Sequence, residues 1–210
     1  MNLEFPEISK RLLAASGAGL IALAALSACS GEDTGSDDTS SASDEAAEGA
    51  AQDEAAAESC EVAPAVEGGG TDFAAPLELC QAGSIEGWDV AVTAVELDAT
   101  QTILDENFLN EEPADGSQYL MFTLAGTNTG DAASDPFIDL MTAVDIGDMR
   151  YEDTCGVLPN DLVDVGEIAP GESFTANGCV FVDSAGVEES VLALSSLLSM
   201  DETEVYYKLG

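Results

Sequence analysis

Two stretches of this chain alternate with the period of a strand. Trp88, Val90 and Val92 are interleaved with Asp89, Ala91 and Thr93, and Leu120, Phe122 and Leu124 with Met121, Thr123 and Ala125. Successive side chains of a strand point to opposite faces, so each stretch has one apolar face that needs a second layer to cover it. Further short apolar runs are available for that layer, and turn residues separate them. Gly126 and Asn128-Thr129-Gly130 close one run, and Pro170-Gly171 opens another that holds Phe174 and Val180–Val182. The pattern predicts strands near 76–81, 87–97, 118–128, 137–146, 149–152, 172–182, 190–194 and 203–209. One helix candidate overlaps the seventh. Leu192, Leu194, Leu197 and Leu198 have mixed spacing, which a helix from Ser190 to Met200 or a strand followed by a turn satisfies equally. About seven or eight short strands with almost no helix predict an all-β sandwich. A sandwich suits Trp88 and the Leu120-Phe122-Leu124 face better than a barrel, because both fill the space between two sheets.

The amino terminus has a different grammar. Lys10 and Arg11 precede an apolar run from Leu12 to Ala28, and the run ends in Leu26-Ser27-Ala28-Cys29. A basic start, an apolar core and small residues at the end are the order of a secretory signal. The last four residues resemble the lipobox of bacterial lipoproteins. That resemblance implies cleavage before Cys29 and lipidation of its sulfur. Two other readings compete: a retained transmembrane helix, for which the run is short and interrupted by Gly17 and Gly19, and a secreted protein with a chance cysteine. The organisation expected is a lipoprotein signal peptide over 1–28, a lipidated Cys29 with an acidic linker over 29–72, and a β-sandwich domain over 73–210. The expected location is the extracytoplasmic face of the cell membrane.

Residues 30–59 hold ten acidic residues and no aromatic, Val, Ile, Leu or Met. Such a segment buries too little apolar surface to offset the ordering of its backbone, and it reads as a disordered tether. Extended to Asp72, it has about 40 residues and an end-to-end distance of about 35 Å, more when like charges stretch it.

Charge narrows the partners. The chain has 42 acidic residues against four Lys and Arg, and no His. Beyond the leader only Arg150 and Lys208 are basic, and residues 73–210 hold 27 acids. This surface repels phosphate backbones and anionic headgroups, which argues against nucleic acid and leaves acyl chains as the membrane contact. Self-repulsion on this scale implies either adaptation to a saline exterior or a merely acidic surface domain.

Five cysteines divide into Cys29, for lipid, and Cys60, Cys80, Cys155 and Cys179. An even number in an oxidising compartment implies two disulfides. Three pairings are possible. Cys60–Cys80 with Cys155–Cys179 is favoured because both close short loops, each worth roughly 3 kcal/mol in the chain-entropy model. A zinc site finds no support, because there is no Cys-x-x-Cys spacing and no His.

Gly87-Trp88-Asp89-Val90, Tyr119–Leu124 running into Thr127-Asn128-Thr129-Gly130, Gly147–Tyr151, Pro170–Phe174 and Val180-Phe181-Val182 follow in order. This series resembles a family of uncharacterised extracytoplasmic domains in lipoproteins of Gram-positive, especially actinobacterial, bacteria. The resemblance implies an immunoglobulin-like β-sandwich, similar in fold to a secreted mycobacterial immunoprotective antigen. It covers about residues 80–209 and brings no catalytic residues with it. Asp148 departs from it, since such domains often carry Lys there.

No catalytic machinery is legible. Without His, the Ser-His and Cys-His arrangements are excluded, and no nucleophile elbow or phosphate-cradling glycine loop occurs. No enzyme activity and no cofactor are expected. Asp105, Glu106, Glu111, Glu112 and Asp115, with Asn107 and Asn110, crowd one loop and supply oxygens suited to calcium. Their spacing is not that of an EF-hand, and Phe108 and Leu109 suggest partial burial, so a solvated loop is the simpler expectation and no metal site is assigned. Arg150 is expected to pair with a carboxylate beside Tyr151, and Asn128 to satisfy a turn. Tyr206 and Tyr207 are expected to split between surface and core. These readings converge on a membrane-anchored binding or interaction domain, with an envelope protein as a possible partner. A small-molecule or cation-binding lipoprotein is the alternative.

Overall fold

The computed structural model describes residues 60–197 and 203–210. Cys29, the leader and residues 30–59 lie outside the described residues. Among the described residues, eight strands form two antiparallel sheets. β1 (Gly83–Ile85), β2 (Trp88–Glu96), β3 (Ser117–Asn128) and β6 (Ser173–Asp183) build one, in the order β1-β2-β3-β6. β4 (Leu140–Ile146), β5 (Met149–Tyr151), β7 (Val191–Ser196) and β8 (Glu204–Lys208) build the other, in the order β5-β4-β7-β8. The architecture is a β-sandwich.

The even-numbered side chains named at the outset meet between the sheets. Trp88, Val90 and Val92 of β2 and Leu120, Phe122 and Leu124 of β3 pack against Val144, Leu192, Leu194, Val205 and Tyr207. Trp88 also meets the Phe174 ring edge-on at 5.6 Å. Gly126 and Gly178 lie under aromatic rings. A Cβ at either would press into Phe174 or Phe122, so glycine lets the rings fill the core. A bulge between Val92 and Ala94 shifts the β2–β3 register and brings Val95 opposite Phe122.

Three local expectations change, and the open alternative at 190–200 is decided. The predicted strand at 76–81 is absent, because Cys80 has a positive φ of 69° and the chain turns there; Leu77 instead bridges to Tyr207. The predicted strand at 137–146 begins at Leu140, because Pro136–Asp139 form a short helix, α2, capped by Asp135. The 190–200 region is a strand as far as Ser196, and residues 198–202 lie outside the described residues. A helix the pattern misses, α1 (Thr100–Glu106), packs Ile103 onto the outer face of the first sheet. There Ala99, Tyr119, Leu158 and Cys179 complete a second, smaller cluster.

Candidate functional site

The four cysteines pair as Cys60–Cys80 and Cys155–Cys179, with Cα separations of 6.0 and 5.5 Å. The first disulfide holds the segment before β1 against the sandwich. Ala63 N donates to Cys80 O at 2.9 Å, and Tyr206 N donates to Gly70 O at 2.8 Å. Leu77 N donates to Tyr206 O and accepts at its own carbonyl from Lys208 N, both at 2.8 Å, which satisfies backbone groups on the free edge of β8. The second disulfide holds the connection from β5 to β6 along the edge of β6. Phe181 N donates to Asp153 O and Asn177 N to Asn160 O, both at 2.8 Å.

That second segment, residues 152–163, forms one wall of a cleft of about 590 Å³. The other walls are α2, β4, β5 and part of β6, with Ser195 and Glu204 contributing from β7 and β8. Phe137, Met141, Leu158, Leu162 and Val163 make much of the lining apolar. Arg150, Glu152, Asp161, Asn177 and Glu204 place polar groups among them. Phe137, Met141 and Val163 are about half exposed, and Ile138 and Leu197 are exposed nearby. An apolar hollow of this size with a few polar groups is the usual form of a small-molecule site.

Local capping presents these side chains. Asp135 accepts from Phe137 N at 3.0 Å and starts α2. Asp139, at the end of α2, is only 7% exposed. It accepts from Trp88 Nε1 at 3.0 Å and from Ser134 Oγ, and its carbonyl accepts from Leu197 N at 2.9 Å. These bonds fix the turn that carries Phe137 to the core and to β7. Asp161 accepts from Val163 N at 3.1 Å and starts the 3-10 helix Leu162–Asp164. Asn177 spans the two walls of the edge: its amide donates to Pro159 O at 2.7 Å and its oxygen accepts from Thr123 Oγ1 at 2.8 Å.

Arg150 is the cation of the cleft. Its Nε lies 3.3 Å from Asp145 Oδ1, and its Nη2 lies 2.7 Å from Glu204 Oε1. Asp145 is its cross-strand neighbour on β4, but Glu204 is on β8, so the side chain reaches across the sheet. By strand alternation Ala143 and Ala193 share that face, and their small side chains leave room for it. The other oxygen of Glu204 accepts from Tyr206 OH at 2.6 Å. The two ends of the Arg150–Asp145 pair respond differently. Desolvation acts against the Arg150 charge, but the bond to Glu204 and the charge of Asp145 outweigh it and raise its pKa. Burial pushes the Asp145 carboxyl up; Arg150 pulls it back, and Glu204 and Glu152 push it up again. Burial is the main cause, and the two glutamates beside the single guanidinium add to it. Tyr206 is pushed up to about 12, first by its bond to Glu204 and then by burial.

Arg150 thus has its carboxylate partners, while the neighbouring Tyr151 bonds to Asp183 at 3.0 Å. Asn128 satisfies a turn: its amide donates to Ala132 O and Ile168 O, and its oxygen accepts from Gly130 N. Tyr207 is fully buried, with its hydroxyl donating to Val90 O at 2.7 Å, and Tyr206 faces outward against Phe73.

The acidic loop differs from expectation. Asp105 and Glu106 belong to α1, and Phe108 and Leu109 are 91% and 71% exposed rather than partly buried. The reason is Asn110. Its amide donates to Ile103 O at 2.6 Å and to Val157 O at 2.9 Å, and its oxygen accepts from Val157 N at 2.8 Å. This clamp turns the preceding residues outward. Gly156 permits it, since a Cβ there would collide with the Asn110 oxygen. Among the described residues, no group of three or more His, Cys, Asp or Glu side chains is arranged to hold a metal ion. Among them, too, no helix is long and apolar enough to cross a membrane.

The sequence readings did not foresee the cleft, or Asp139 as the link between α2 and the core. Asp135-Pro136 carried the available signal, a cap followed by proline at the start of a helix.

No family model and no curated protein matches the chain. Solved structures of similar shape include an uncharacterised β-sandwich protein of Clostridium difficile, 13% identical, with a TM-score of 0.43 over 64% of this chain and 95% of that one. A candidate lipoprotein of Bacillus subtilis is 16% identical, with a TM-score of 0.40 over 60% of this chain and 37% of that one. A conserved hypothetical protein of Bacillus anthracis is 12% identical, with a TM-score of 0.35 over 60% of this chain and 90% of that one.

Proposed function

We propose that this chain is a lipid-anchored extracytoplasmic binding protein, and that the cleft between β4–β5 and residues 152–163 receives its ligand. The cleft carries the reading: about 590 Å³ of largely apolar space with polar groups fixed around it. The Leu26-Ser27-Ala28-Cys29 pattern supports the anchor, and the two disulfides suit an oxidising exterior. The family of Gram-positive lipoprotein domains suggested by the strand motifs belongs to the same reading. Binding rather than catalysis fits a cleft whose charged groups are carboxylates and one ion-paired arginine.

The test has two arms. Cells fed an alkyne-bearing fatty acid should label the wild-type protein and not Cys29→Ser. A fragment screen by amide NMR should move Thr142, Ala143, Gly156 and Gly178 together. Absence of labelling contradicts the anchor, and fragments that move only residues elsewhere contradict the site.

A second reading, docking of a protein partner, has its own observation. Phe108 and Leu109 project from a base clamped by Asn110, and exposed apolar groups held rigidly often mark contact surfaces. Phe108→Ser and Leu109→Ser should abolish capture of an envelope partner under this reading and leave fragment binding in the cleft intact.

A further inference from the structure

We propose that the ligand of this cleft is a cationic amphiphile, a small molecule with an apolar body and an ammonium or guanidinium group. This deepens the reading of the cleft as a binding site and rests on it.

Arg150 is engaged at both ends, by Asp145 at 3.3 Å and Glu204 at 2.7 Å. A bound carboxylate or phosphate would have to share the guanidinium with both of them and would add a negative charge where carboxylates already outnumber the one arginine. Arg150 is therefore poorly placed as an anion receptor.

The carboxylates are in the opposite position. Glu152, Asp161 and Glu204 line the cleft against one arginine. Glu152 has no ion pair among the described residues, and the known work of Asp161 is a single cap to Val163 N. Glu204 and Glu152 also push the Asp145 carboxyl up against the pull of Arg150, behind the larger effect of burial. An incoming cation would meet Glu152 directly and would compete with Arg150 for Glu204.

The rest of the surface acts in the same sense. Among the described residues the only other basic side chain is Lys208. The field of so acidic a domain raises the local concentration of cations and lowers that of anions. The apolar half of the ligand is specified by Phe137, Met141, Leu158, Leu162 and Val163. The volume fits a small molecule.

The experiment uses octylammonium, octanol and octanoate, which share one chain and differ in charge. Each is titrated into the protein at low salt, and amide shifts of Thr142, Ala143, Gly156 and Gly178 are followed. An exposed charge pair contributes about 1.5- to 5-fold in affinity, so two carboxylates together give about tenfold. Octylammonium should bind about tenfold more tightly than octanol, and octanoate most weakly. Glu152→Gln, at an exposed position, should keep the fold and reduce the advantage of octylammonium over octanol about 2- to 5-fold. Added salt should shrink it further. If octanol binds in the cleft as tightly as octylammonium, or octanoate binds more tightly, the charge inference is overturned and the cleft stands as a site. If none of the three moves the cleft residues, the reading of the cleft itself fails.

Discussion

Trp88 Nε1 donates to the Asp139 carboxylate at 3.0 Å, 51 residues away in the chain. The bond ties the start of β2 to the end of α2, and α2 carries Phe137 into the cleft. Core and site are thus coupled through one buried carboxylate.

Asp139→Ala removes an acceptor from both Trp88 and Ser134. Leaving a buried donor without a partner costs about 1–3 kcal/mol. The unfolding free energy from urea titration should fall by that amount, through a lower midpoint with little change in slope, and Asp139→Asn should lose less because it keeps an acceptor. The chain has one Trp, so its emission reports the change directly. Both variants should shift the emission spectrum, Asp139→Ala the more. An unchanged midpoint would remove this bond from the account.

The Cys155–Cys179 bond should stabilise the domain and shape the cleft. Its residues are 24 apart in sequence, and closing a loop of that size contributes roughly 3 kcal/mol. Replacing both cysteines with serine should lower the melting temperature and speed amide exchange across residues 152–163 more than in β2 or β3. Equal acceleration everywhere would mean that the disulfide holds the whole fold and not this wall in particular.

Tyr206 fixes an alkaline limit. Its folded pKa is about 12, against about 10 for an unperturbed tyrosine. A raised folded value favours the native state fully below pH 10, and this contribution is lost as pH rises from about 10 towards 12. Urea midpoints should therefore fall between pH 9 and pH 11.5. Tyr206→Phe should fall less over the same window. Identical pH profiles for the two proteins would contradict the assignment.

Salt should raise stability. Residues 73–210 carry 27 acids and two bases, and raising salt from 0.15 to 1 M shortens the screening length from about 8 to about 3 Å. Melting temperature should climb with sodium chloride, steeply at first and then level off. A flat profile would show that the acids are spaced well enough not to oppose folding.

The strands were legible where both neighbours cooperate. Trp88, Val90 and Val92 and the Leu120-Phe122-Leu124 face announce their strands because one side of each is fully buried and the other, apart from Ala91, only partly. The helices were harder. α1 buries only Ile103, so it has no apolar period, and its N-cap Ala99 makes no side-chain cap. α2 lasts four residues, and its Phe137 and Ile138 lead into Leu140 and the apolar run of β4. Cys80 ends a run that reads as extended, because its φ is positive and the chain turns there. The cleft was not legible at all. Its walls come from β4, β5, β6 and residues 152–163, and no sequence window contains Phe137, Leu158 and Glu204 together. Arg150 was visible as a lone cation, but its reach to Glu204 depends on strand order.

On the living cell, ligand should reach this cleft. A photoreactive methionine analogue at position 141, on the cleft lip, should form a reproducible adduct with one small molecule in cells that make the protein. The same analogue at position 149, exposed on β5 and outside the cleft lining, should not. Adducts of the same identity and yield from both positions, or none from position 141, would contradict the account.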